Sequence, residues 1–156
     1  SIAALQINAK KSSYDSVQRS IATQLAQDII EKMRANADNL AGYQGSTVGG
    51  NTLNIGAINC STGTCSGGEI ASYDLKLWEN SMDSAGGGLQ SPTACITGPA
   101  SAGDSGLYTI TLVWRGVERM KDVSANNCGA GNYGNNDEFR RILTVTTFIS
   151  TSGFGV

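Results

Sequence analysis

The chain has 156 residues with eleven basic and thirteen acidic side chains, a formal charge of -2, and no histidine. That balance excludes a global electrostatic pull toward nucleic acid or anionic lipid, and the missing histidine removes Ser-His and Cys-His nucleophile systems and the commonest metal ligand. Charged residues are only 15% while Gly, Ser, Thr and Asn are abundant, the composition of an exported, loop-rich chain with one globular core.

The first element is the most strongly written. Ala3 to Asn36 contains no Gly or Pro, and apolar side chains recur at Leu5, Ala9, Val17, Ile21, Leu25, Ile29 and Met33, widened by Ala22, Ala26 and Ile30. One helix is predicted, roughly 50 Å long at about 1.5 Å per residue, longer than a domain of this mass needs to span its core. From Val17 onward the stripe is dense, with an Asp28–Lys32 pair at i, i+4, and this half is expected to lie on the core. The N-terminal half holds only Ile2, Leu5 and Ile7 before the polar run Lys10 to Ser13, and is expected to project.

Ala37 to Cys65 reads as a connecting loop broken by Gly42, Gly45, Gly49 and Gly50, with a short strand expected around Thr52 to Ile58. A second helix is predicted from about Glu69 to Asp83, with Ile70, Tyr73 and Leu77 on one face and Leu75, Trp78 and Met82 beside them, ended by Gly86 to Gly88. The period then changes to two. Leu107 to Trp114 and Arg141 to Ser150 alternate as strands, and Ser91 to Gly98 is a weaker one. These predict an antiparallel sheet of three to four strands, packed on the Val17–Met33 half of the helix with Trp78 and Trp114 in the core. The fold class is α+β.

Four cysteines in such a chain point to disulfides formed in an oxidising compartment. Cys60 and Cys65 enclose Ser-Thr-Gly-Thr, a turn across which a local bridge is easy, which leaves Cys95 with Cys128. Paired CxxC knuckles are absent, so a zinc site is not expected.

Three stretches carry a family resemblance. The opening Ala3 to Gln6, AALQ, is similar to the point where a pilin hydrophobic segment passes into its periplasmic helix. Arg19 to Asn36, RSIATQLAQDIIEKMRAN, and then Ala71 to Trp78 with Tyr108 to Trp114, follow in order. Together they resemble the PilV-type minor pilins of type IV pili. The resemblance implies a type IV pilin-like fold, with residues 1–36 as the periplasmic part of the pilin helix and 37–156 as the globular head. The membrane segment that such a precursor carries is absent from these residues, which is expected of a soluble fragment in which Ser1 is a cloning remnant.

The function implied is structural: a subunit that primes pilus assembly through helix packing and lateral head contacts, and so supports adhesion and motility. It is no enzyme and needs no cofactor or metal. Expected partners are other minor pilins and the major pilin, with the inner membrane and periplasm before assembly and the extracellular pilus afterwards. Leu5, Ile7 and Tyr14 on the projecting half-helix are candidate interface residues. Tyr133, in the Gly/Asn-rich part of the Val117–Glu138 loop, is a candidate exposed anchor for a protein partner or glycan, and a host surface is a further candidate partner of the head. A type II secretion pseudopilin and a tip adhesin or DNA-capture subunit are the alternatives. Nucleic acid is not expected as a partner, because Glu118, Asp122, Asp137 and Glu138 interrupt the possible stripe of Arg115, Arg119, Lys121, Arg140 and Arg141. The acidic pairs Asp28/Glu31 and Asp137/Glu138 are read as solvated ion pairs rather than an acid and a base.

Overall fold

The computed structural model describes residues 2–83, 88–122 and 124–151. Helix α1 spans Ile2–Ala35, followed by a short 3-10 helix at Ala37–Gly42, strand β1 at Thr47–Val48, helix α2 at Gly67–Met82, and strands β2 (Thr93–Thr97), β3 (Gly106–Arg115) and β4 (Arg140–Ile149). The four strands form one antiparallel sheet in the order β1-β2-β3-β4. The α+β arrangement expected from the sequence is therefore present, with the second helix and the three longer strands near their predicted places.

Helix α1 packs on the sheet only from Gln18 onward. Gln18, Ala22, Leu25, Ala26, Ile29, Ile30 and Met33 are buried and form its inner stripe. Val17, expected to open that stripe, is 55% exposed, because at 3.6 residues per turn it falls roughly 140° from the centre of the buried face. Tyr108, Ile110, Leu112 and Trp114 of β3 meet the stripe from the sheet side, and Leu75, Trp78 and Met82 of α2 close the core. Trp78 Nε1 donates to the Leu25 carbonyl at 2.8 Å, so the ring ties the two helices as well as filling space between them.

Both helices have identifiable ends. Lys32 and Arg34 sit in the last turn of α1, where cations complement the helix dipole. Lys32 reaches across to Asp74 of α2 at 3.7 Å. Asn36 stops the helix and donates to the Gly67 carbonyl and the Tyr43 hydroxyl. Helix α2 starts on a capping box in which the Ser66 hydroxyl accepts from Glu69 N–H while the Glu69 carboxylate accepts from Ser66 N–H. Its predicted glycine stop includes Gly86 and Gly87, which lie outside the described residues.

The strand expected at Thr52 to Ile58 is displaced. Pairing occurs instead at Thr47 and Val48, opposite Cys95 and Ala94. The backbone N–H groups of Gly49, Thr52 and Leu53 all donate to the Glu79 carboxylate, at 2.8 to 3.3 Å, so this stretch wraps an anion rather than joining a ladder. Both disulfides pair as expected, with Cα separations of 5.6 Å for Cys60–Cys65 and 6.0 Å for Cys95–Cys128.

Candidate functional site

Residues Ile2 to Lys10 of α1 are all exposed, and none of the residues from there to Val17 is fully buried. Ile2, Leu5, Ile7, Tyr14 and Val17 are exposed, Ile2 and Leu5 by 75% and 69%. At 3.6 residues per turn, Ile7 and Tyr14 lie within roughly 80° of the core-facing side, whereas Ile2 and Leu5 lie roughly 100–160° from it. The apolar groups are therefore spread around the helix rather than gathered in one seam. Such a surface suits neighbours on more than one side.

The neck, where the helix leaves the head, is held firmly. Gln18 is buried, its amide donating to the Gly88 carbonyl and its carbonyl accepting from Gln90 N–H. The Arg19 guanidinium lies 5.5 Å from the Trp114 ring centroid and donates to the Ile142 carbonyl. Two turns further out, Lys11 pairs with Glu118 at 3.2 Å, both half-exposed. The Arg141 guanidinium lies flat against Gly116, where any Cβ would overlap it, and donates to the Glu118 carbonyl at 2.6 Å. The direction of the projecting half-helix is thus fixed by the head.

The structure reassigns several residues that the sequence nominated for contact. Tyr133, expected as an exposed anchor, is 2% exposed. Its ring packs beside Val113 and Cys128, its hydroxyl donates to the Ser91 carbonyl at 2.9 Å, and burial pushes the phenol above its ordinary pKa. The Cys95–Cys128 bridge draws the loop onto the outer face of the sheet, and the tyrosine follows. The basic stripe is broken for a similar reason. Arg140 is buried, with Nε 2.8 Å from Asp122 Oδ2 and donors to the Asn126 and Cys128 carbonyls, and Arg141 is buried at the neck. Arg115 and Arg119 stack around Phe139 at 4.3 and 5.7 Å.

Asp137 and Glu138, read as solvated ion pairs, instead organise the loop. Asp137 accepts from the N–H groups of Gly131 and Tyr133, and Glu138 from that of Asn136. These backbone donors, the Gly131 and Asn136 N–H groups foremost, hold the two carboxyls below their ordinary range. The loop is therefore internally fixed.

Glu79, which holds the loop after β1, is the structural residue that sequence reasoning missed. Burial alone would raise its pKa, but Lys76 at 2.9 Å and the amides of Thr52, Leu53 and Gly49 outweigh that and hold it below 4.5. The available signal was a glutamate next to a core tryptophan with Lys76 three residues earlier, facing a Gly/Asn-rich loop.

Residues 4–76 match the family model described as type IV pilin Tt1218. Over that stretch the chain is similar to a type IV pilin. The match covers just under half of the chain, running from the projecting half of α1 through the connecting loop and its disulfide into α2. The long helix lying on a four-stranded antiparallel sheet, with the short second helix against the long one, is consistent with the type IV pilin fold. No curated protein and no solved structure matches the chain. No helix among the described residues is long and apolar enough to cross a membrane.

Proposed function

We propose that the chain is a minor pilin of the PilV type, acting as a structural subunit that primes type IV pilus assembly. The observation that carries this reading is the projecting half of α1. Its large apolar residues are exposed at several azimuths and have no core of their own to cover them. In the assembled state Leu5, Ile7 and Tyr14 pack among the helices of other minor pilins and the major pilin, and burial of apolar surface supplies the association energy. Residues 1–36 serve as stem and 37–156 as head. The subunit resides at the inner membrane and periplasm before incorporation and on the extracellular pilus afterwards, where it contributes to adhesion and twitching motility.

The test is the amount of surface pilin recovered by shearing from a strain lacking the gene. Piliation is expected to fall, and to be restored by the complete gene but not by one carrying Leu5→Asp and Ile7→Asp. Unchanged piliation in the deletion strain would remove the priming role. Co-assembly with secretion pseudopilins instead would identify the subunit with that machinery.

A further inference from the structure

The face of the sheet turned away from α1 has an unusual chemistry. Strand register aligns Thr97, Thr109 and Thr146 in one row, and Thr47, Cys95, Thr111 and Thr144 in the next. Six of these seven positions are threonine, and none is charged. Threonine favours strands, and an outward polar face needs no special cause. Outward faces kept soluble in water usually carry lysine and glutamate, however, and here charge on this face is confined to the neck end, at Arg115 against Phe139 and at buried Arg140.

Two features adjoin the threonine rows. At the distal end Leu107 and Phe148 pair directly across β3 and β4 and stand 63% and 57% exposed on a fixed ladder. On the β1 side the rows open into a groove of about 450 Å3, walled by the Cys95–Cys128 bridge with Asn126 and Asn127. Asn126 donates to the Thr111 hydroxyl, itself 3% exposed, at 3.2 Å. The Thr109 and Thr146 hydroxyls bond to each other at 2.9 Å, which leaves one donor and further lone pairs of that pair turned outward.

From these observations we infer that this face binds a neutral oligosaccharide, stacked on Phe148 at one end and hydrogen-bonded by the exposed Thr146, Thr144 and Thr97 toward Thr47 and Asn127 at the groove. A sugar ring presents an apolar C–H face and a rim of hydroxyls. An exposed aromatic ring beside neutral donors and acceptors matches both. The absence of charge disfavours phosphate and acidic polymers, which need cationic partners. Phe148 to Cys95 at the groove, four residues along and two strands across, spans about 16 Å at about 3.3 Å per residue and about 4.8 Å per strand, the length of about three linked hexose rings. The tyrosine of the loop cannot serve here, being buried with its hydroxyl engaged.

The test is titration of the isotope-labelled chain with maltotriose, cellotriose and chitotriose, followed by amide chemical shifts. At least one sugar is expected to shift the amides of residues 107–111, 126–128 and 144–148. Half-saturation should fall at about millimolar concentration, as suits a shallow open face, and be unchanged by added salt. Phe148→Ala, at an exposed position that leaves the spectrum dispersed, should weaken binding by about tenfold, and Thr109→Lys should do the same. Met120→Ala, at an exposed position whose backbone N–H bonds to the Glu138 carbonyl away from the threonine rows, should leave it intact. The proposal is overturned by an absence of shifts with all three sugars, by shifts centred elsewhere, or by full binding in Phe148→Ala. It is also overturned if the same amides shift on protein dilution alone, which would assign the face to a second copy of the chain.

Discussion

The two halves of α1 are one continuous helix with opposite relations to water. From Gln18 to Met33 the inner stripe is buried, with Ala22, Ala26, Ile29 and Met33 wholly so, and even the glutamine has both ends of its amide engaged. From Ile2 to Val17 every large apolar side chain is exposed. The difference teaches that the helix is stabilised as structure at one end and made available as surface at the other, so that stability and assembly should respond to different residues.

The largest expected effect comes from the embedded half and what it touches. Trp78→Ala should cost about 4 kcal/mol and Ile29→Ala about 3 kcal/mol in urea unfolding, through lost burial and the cavity left behind. Leu5→Ala should shift the same curve by less than about 0.5 kcal/mol while reducing recovered pilin. A large destabilisation by Leu5→Ala would break the comparison, since it would mean that the projecting half is packed on the head.

The disulfides sharpen it further. Replacing Cys95 and Cys128 by serine opens a 33-residue separation and should cost about 3.5 kcal/mol, against about 2 kcal/mol for Cys60 and Cys65, which are 5 residues apart. Thermal melts under oxidising conditions measure both.

Glu79 should follow. Glu79→Gln keeps the shape but weakens the hold on three backbone amides, costing about 2 kcal/mol at neutral pH. Because its folded pKa lies below 4.5, its contribution is present above that pH and lost as pH falls through the folded value. Asp137 and Glu138, also lowered, act in the same direction. Urea midpoints taken from pH 7 down to pH 3 should therefore fall in the acid range, and less steeply for Glu79→Gln. An identical acid slope in the variant would show that Glu79 is not responsible.

The smallest effects belong to single polar contacts. Tyr133→Phe removes the hydrogen bonds to Ser91 and Thr93 and should cost about 1 kcal/mol, whereas Lys11→Ala, which breaks a half-exposed ion pair, should cost less than about 0.5 kcal/mol. A neutral Tyr133→Phe would show that burial of the ring, and not its hydroxyl, holds that residue on the sheet.

By itself the sequence determined what periodicity and local chain geometry can encode. Four-residue spacing in α1, alternation in β3 and β4, and a five-residue cysteine spacing each act between near neighbours, so the helix, the strands and the local bridge were legible, as was the projecting half with Leu5, Ile7 and Tyr14. Tertiary structure alone decided matters that depend on groups distant in the chain. Glu79 meets Gly49, Thr52 and Leu53 across more than 25 residues, and that contact moved the expected strand from Thr52–Ile58 to Thr47–Val48. Tyr133 was placed by its bridge-tethered loop 42 residues from its hydrogen-bond acceptor Ser91, and Arg140 by Asp122 and the carbonyls of that same loop. A polar or aromatic residue in a glycine-rich segment has the same local signature whether it faces solvent or sheet. Only the long-range pairing of β2, β3 and β4, with the Cys95–Cys128 bridge above it, selects which.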